Sequence, residues 1–204
     1  MDLDEDGENS RIPSQSTGLL RSLLQQRIVS ATRYSWWAPQ EAQRRCALAP
    51  EAVFSLTLGP VAIELDSGLI IGMASDPAIR SVLVWVERNA DGRRMKRQPL
   101  AGSLTLHPIA ATDPVFADHF WRAVIGTRIE TIAILSRRPT SVKMSALPNE
   151  VGLCFWLSSG EKMVATHGLH DDSSGFSVIS DTLIQHSLLP ELNAAPLSTA
   201  SESS

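Results

Sequence analysis

The stretch LPNEVGLCFWLSSGEKMVATHGLHDDSSGFSVI, residues 147–179, decides the fold. Val151, Leu153, Phe155 and Leu157 alternate with Gly152, Cys154, Trp156 and Ser158, the period of a strand with two different faces. Ser159-Gly160 supplies turn chemistry, and Met163 to Thr166 returns as the partner strand. A loop rich in His and Asp follows, and then a third strand. The same plan occurs earlier, in VAIELDSGLIIGMASDPAIRSVLVWV, residues 61–86. There an alternating strand, a Ser67-Gly68 turn, a return strand and the breaker Ser75-Asp76-Pro77 precede the run Val82–Val86. Two antiparallel β-meanders with apolar inner faces pack face to face or curl into a partly open barrel. The fold class expected is mainly β (α+β): a sandwich or partly open barrel with an N-terminal helix and one inserted short helix.

Outside the meanders, Leu19, Leu20, Leu23, Leu24 and Ile28 follow helical spacing, and the reading extends that helix to Tyr34-Ser35. Pro39 opens a second short helix through Arg45. Phe116 to Val124, anchored by Phe120 and Trp121, reads as the inserted helix, and Ile129 to Leu135 as a β-branched strand. Residues 98–114 are weakly patterned. The expected organisation is an acidic disordered tail over 1–17, a helical segment over 18–52, a β-rich domain over 53–182 and a flexible tail over 183–204.

Composition excludes several classes. Asp2, Asp4, Glu5, Asp6 and Glu8 crowd the N-terminus; removing these five from 22 acidic residues leaves 17 against 18 basic ones. A body that close to neutral has no global charge with which to bind nucleic acid. Cys46 and Cys154 lie far apart with no CxxC, which suits a reducing compartment and gives no zinc knuckle. No apolar run reaches the roughly 18 residues of a membrane span, and the acidic start is unlike a leader. The expected location is the cytoplasm, with no membrane contact and no cofactor. Oligomeric state is not legible.

The candidate chemistry concentrates in His167, His170, Asp171 and Asp172. Imidazole and carboxylate suit zinc, manganese or iron. A metal-dependent hydrolase would use His167, His170 and Asp171 as ligands, with Glu150 or Asp172 as general base. The spacing argues against it: in an extended segment residues three apart face opposite ways, and Gly168 with Asp-Asp-Ser-Ser-Gly is turn material. There is no GxSxG elbow, no GxxxxGK[ST] and no GxGxxG after a strand. The densest basic run, Arg93 and Arg94 to Arg97, lacks interleaved aromatics and reads as an exposed loop.

The blocks LDSGLIIGMASDP with VLVWVER, then IGTRIETIAIL, then LPNEVGLCFWLSSGEKMVATHGLHDDSSGFSVI resemble a family of small bacterial β-rich proteins similar to the immunity partners of polymorphic toxins. The resemblance covers roughly residues 54–180. It implies a β-rich domain that binds another protein, a cognate toxin, and it carries no catalytic residues. The binding surface expected on this reading joins the loop His167, His170, Asp171, Asp172 to the loop carrying Arg93 and Arg94. An acidic loop of that kind covers basic residues on a toxin and speeds encounter.

Overall fold

Each half of the chain builds the same five-stranded antiparallel sheet. The computed structural model describes residues 10–91, 99–171 and 175–197. The first sheet contains β1 (Ile28–Ser35), β2 (Val61–Leu65), β3 (Ile70–Asp76), β4 (Ser81–Arg88) and β5 (His107–Ala110), in the order β4-β3-β2-β1-β5. The second contains β6 (Ile129–Arg137), β7 (Gly152–Leu157), β8 (Lys162–His167), β9 (Phe176–Ser180) and β10 (Leu192–Pro196), in the order β10-β6-β7-β8-β9. Matched strand for strand, the two orders are identical. Neither sheet closes into a barrel, and the pair forms a sandwich.

The repetition extends to irregular details. A register shift falls between Ile28 and Ser30 in β1, and another between Ile129 and Thr131 in β6. The turn glycines Gly68 and Gly160 both have positive φ, 83° and 86°, and each donates to the leucine three residues back, 2.8 Å from Leu65 and Leu157. Only glycine adopts that backbone without steric cost, which explains the Ser-Gly pair in both turns. A helix precedes each sheet: α1 (Thr17–Ser22) before β1 and α4 (Phe120–Val124) before β6, with α2 (Pro39–Arg45), α3 (Val53–Leu56) and α5 (Val142–Ser145) set in other connections. LLRSLLQQRI, residues 19–28, thereby falls on FWRAVIGTRI, residues 120–129. Where the halves meet, Arg27 and Arg128 form an antiparallel bridge; Ile28 donates to Thr127 at 2.9 Å and Ile129 donates to Gln26 at 3.0 Å. The hydrogen bonds at this bridge are reciprocal between equivalent residues of the two halves.

The inner faces make one core, with Ile63, Ile71, Met73 and Val84 from the first sheet against Ile132, Leu153, Phe155 and Val178 from the second. Fully burying each side chain of this size stabilises by roughly 1.5–3 kcal/mol. One inward position of β1 is charged. Arg33 is wholly buried, and its guanidinium donates to the carbonyls of Phe54 (2.9 Å), Ser55 (2.9 Å), Gly59 (2.7 Å) and Phe176 (3.3 Å). Burial lowers its pKa to about 9, so the group stays charged at neutral pH. Arg33 therefore ties α3 and β9 to the first sheet.

Three boundaries differ from the expected organisation. The helix over 19–28 ends at Ser22, and Ile28–Ser35 is a strand, so 18–52 is not a helical segment. The acidic tail does not extend to residue 17: Arg11 exchanges backbone hydrogen bonds with Val84 at 3.1 and 2.9 Å, and Pro13–Ser16 is a 3-10 turn. The C-terminal segment from 183 is not a free tail, because a 3-10 stretch His186–Glu191 leads into β10, which pairs with β6. The inserted helix is present but shorter, Phe120–Val124.

Candidate binding groove on the first sheet

The described residues singled out by the sequence do not gather into a metal site. His167 ends β8 and is only 6% exposed; its amide donates to Val151 at 2.8 Å, and its Nδ1 has no hydrogen-bond partner among the described residues. Gly168 takes φ 71°, turning the chain so that Leu169 plugs a buried cluster. His170 is half-buried and Asp171 is exposed. Among the described residues no three His, Cys, Asp or Glu side chains come together to hold a metal, so His167, His170 and Asp171 do not converge. Asp172, Arg93 and Arg94 lie outside the described residues. Glu150 is a structural tie: its Oε2 accepts from the Ser14 amide at 2.8 Å, and its backbone joins β4 through Ser81 Oγ (3.1 Å) and Val82 (2.9 Å).

The anchors of the two expected loops sit at opposite ends of β4. His167 feels the field of Asp76 and Arg80, which precede the strand. The chain leading toward Arg93 leaves from its far end, where Ala90 lies beside Gly68. Eight residues of strand span about 25 Å.

Burial lowers the His167 pKa, and Arg80 and Arg137 push it the same way against the opposing pull of Asp76. The folded state therefore binds fewer protons than the unfolded state once pH falls below the ordinary value of 6.5. Stability is complete above that pH and declines as pH falls toward the folded pKa, by at most about 1.4 kcal/mol per pH unit for one proton. Urea titrations at pH 7.5 and 5 check this; His167→Gln should flatten the decline, and an unchanged slope would show that other groups carry it.

The outward faces of the two sheets are finished differently. On the second sheet Leu135, Cys154, Val164 and Ile179 are covered by Leu169 and Leu188, which closes that face with the chain's own side chains. Burial, with Asp181 adding to it, pushes the Cys154 thiol up to about 12, so this cysteine is no nucleophile. Lys162 at the margin pairs with Asp181 at 3.0 Å, and its ammonium lies 6.0 Å from the Trp156 ring centre.

The corresponding face of the first sheet holds a groove of about 470 Å³. β1 contributes Ser30, Thr32 and Tyr34; β2 and β3 contribute Ala62, Glu64 and Ile70; β4 contributes Glu87 and Arg88. The segment Pro99–Gly102 forms the far wall and is held there by Glu87, whose carboxylate accepts from the Leu100 amide and, at 2.8 Å, from Trp85 Nε1. Gly72 makes this clamp possible. A Cβ at that position would meet the Trp85 ring at 2.2 Å, so any other residue would displace the indole. Glu64 accepts from Ser30 Oγ and from Arg88, each at 3.0 Å. Tyr34 has its pKa raised by burial and then by Glu87 and Glu64, so its hydroxyl stays a neutral donor in a negative field. Among the described lining residues, two carboxylates stand against one guanidinium, a net acidic balance. A volume of this size with an apolar floor and a few convergent polar groups suits ligand or side-chain recognition.

No family model, no curated protein and no solved structure matches the chain. Among the described residues, no helix is long and apolar enough to cross a membrane. The sequence carries one signal for the groove. Glu64 and Tyr34 point outward from strands whose counterparts in the second half carry Trp156 and Leu135.

Proposed function

We propose that this protein is a non-enzymatic module that binds another protein on the outer face of its first sheet, in the manner of a toxin-neutralising protein engaging its toxin. The observation that carries the reading is the unequal finish of two otherwise matching sheets. The second sheet is sealed by Leu169 and Leu188, whereas the first retains a groove of about 470 Å³ whose described lining residues are net acidic. Both carboxylates of the groove accept hydrogen bonds from the protein itself, which fixes their positions for recognition.

A photo-crosslinking residue placed at Thr32, inside the groove, tests this in cells of the source. Trp156, on the outer face of the second sheet, is the matched control. The expected result is one discrete protein adduct from position 32 and none from position 156. Equal labelling from both positions, or no adduct from either, would remove the reading.

A further inference from the structure

The Lys162–Asp181 pair of the second sheet has a counterpart in the first where isoleucine stands at the position of the lysine. Ile70 stands opposite Glu64 in the β2–β3 ladder as Lys162 stands opposite Trp156 in the β7–β8 ladder. Val86 opposite Ile71 matches Ser180 opposite Met163, so Glu87 and Asp181 are each the next residue along, with Glu87 at a bulge that sets Arg88 opposite Ile70. The repeat thus retains the carboxylate and replaces the ammonium by an isoleucine. In the second sheet the ammonium sits 3.0 Å from its carboxylate; in the first, Glu87 makes no ion pair with a described residue and borders open volume.

We propose that a lysine or arginine side chain of the partner protein enters this groove and takes the place beside Glu87 and Glu64 that Lys162 takes beside Asp181. The inference rests on the reading of the groove as a protein-docking surface and names the chemistry of what docks. Three features support it. Among the described residues the lining is net acidic, since Arg88 offsets only Glu64, with which it pairs at 3.0 Å on the exposed rim. The hydroxyls of Thr32 and Tyr34 make no hydrogen bond to a described residue, which leaves their oxygens free to accept from an incoming N–H. Ala62 and Ile70 give an apolar floor along which an aliphatic stem can lie while its charged head meets carboxylate oxygen.

The test is an NMR titration of the whole chain with single-residue probes, read at the Ala62 methyl and the Tyr34 ring. N-acetyl-lysine methylamide and N-acetyl-arginine methylamide are the cationic probes, and N-acetyl-norleucine methylamide is the neutral one. The cationic probes should give saturable shifts confined to the groove, with affinity about tenfold above the neutral probe. Ile70→Lys, which places in the first repeat the residue type of the second, should fold normally and abolish the response by filling the site from within. Lys162→Ile should leave the response unchanged. Equal shifts from neutral and cationic probes, no shifts at all, or a response that survives Ile70→Lys would each overturn the proposal. The two readings fail separately. Cation binding without any adduct from position 32 would end the protein-docking reading and leave the cation site standing. An adduct together with probes that do not bind would end the cation assignment alone.

Discussion

Arg33→Met is expected to destabilise the protein by roughly 3 kcal/mol or more, because buried carbonyls lose their donor at about 1–3 kcal/mol for each one left unsatisfied. Arg33 is completely buried and, among the described residues, makes no ion pair. Its four recorded acceptors are the backbone carbonyls of Phe54, Ser55, Gly59 and Phe176. Backbone acceptors cannot be mutated away, so each would be left without a donor in the dry interior at a cost of its own. The ring of Phe176, 5.2 Å from the guanidinium carbon, loses a cationic neighbour as well. Arg33→Lys should not rescue stability, because one ammonium with three donors cannot match a planar fork that reaches four oxygens. Urea unfolding measures the loss. A change under about 1 kcal/mol for Arg33→Met would mean that water or side chains replace the fork.

Trp121→Ala should cost about 3–5 kcal/mol, the usual range for deleting a buried tryptophan. Trp121 is fully buried, and its ring lies edge-on to Phe54 at 4.4 Å and to Phe120 at 5.5 Å. Its Nε1 donates to Ser55 Oγ at 2.9 Å. Ser55 thus receives Arg33 on its carbonyl and Trp121 on its hydroxyl, and α3 is gripped from both halves of the chain. Trp121→Phe should cost less than Trp121→Ala, because it retains much of the apolar contact and loses the hydrogen bond. In the double variant with Arg33→Met, the two losses should deviate from additivity by 0.5–3 kcal/mol, as expected for residues sharing one partner. Strict additivity would show that α3 does not link them.

The meanders were legible because both strands of each hairpin alternate and both turns carry Ser-Gly. β1 was hidden for a physical reason. Its inward positions after Ile28 are Ala31, Arg33 and Ser35, so the buried face carries a charge and a hydroxyl and shows no apolar alternation. The preceding leucines then extended a helical pattern across it. β10 was hidden because it is an edge strand, mostly exposed and ending in Pro196; only its backbone pairs with β6, and pairing leaves no composition signal. The loop at 167–171 drew attention through its His and Asp residues, yet its clearest structural contribution is Leu169, the residue with no chemistry. The groove could not be read from either half alone. Tyr34, Glu64, Ile70 and Glu87 are ordinary outward residues of a solvated sheet until they are set against Leu135, Trp156, Lys162 and Asp181.

The most direct test of the groove as the binding surface is the affinity of the cross-linked partner for Thr32→Arg. An arginine there fills the volume and opposes an incoming cation, while Val142→Arg, at a site 89% exposed on α5, serves as control. Partner binding weakened by about tenfold or more in Thr32→Arg, with Val142→Arg like the unmodified protein, is the predicted result. Unchanged affinity in a correctly folded Thr32→Arg variant would contradict the account.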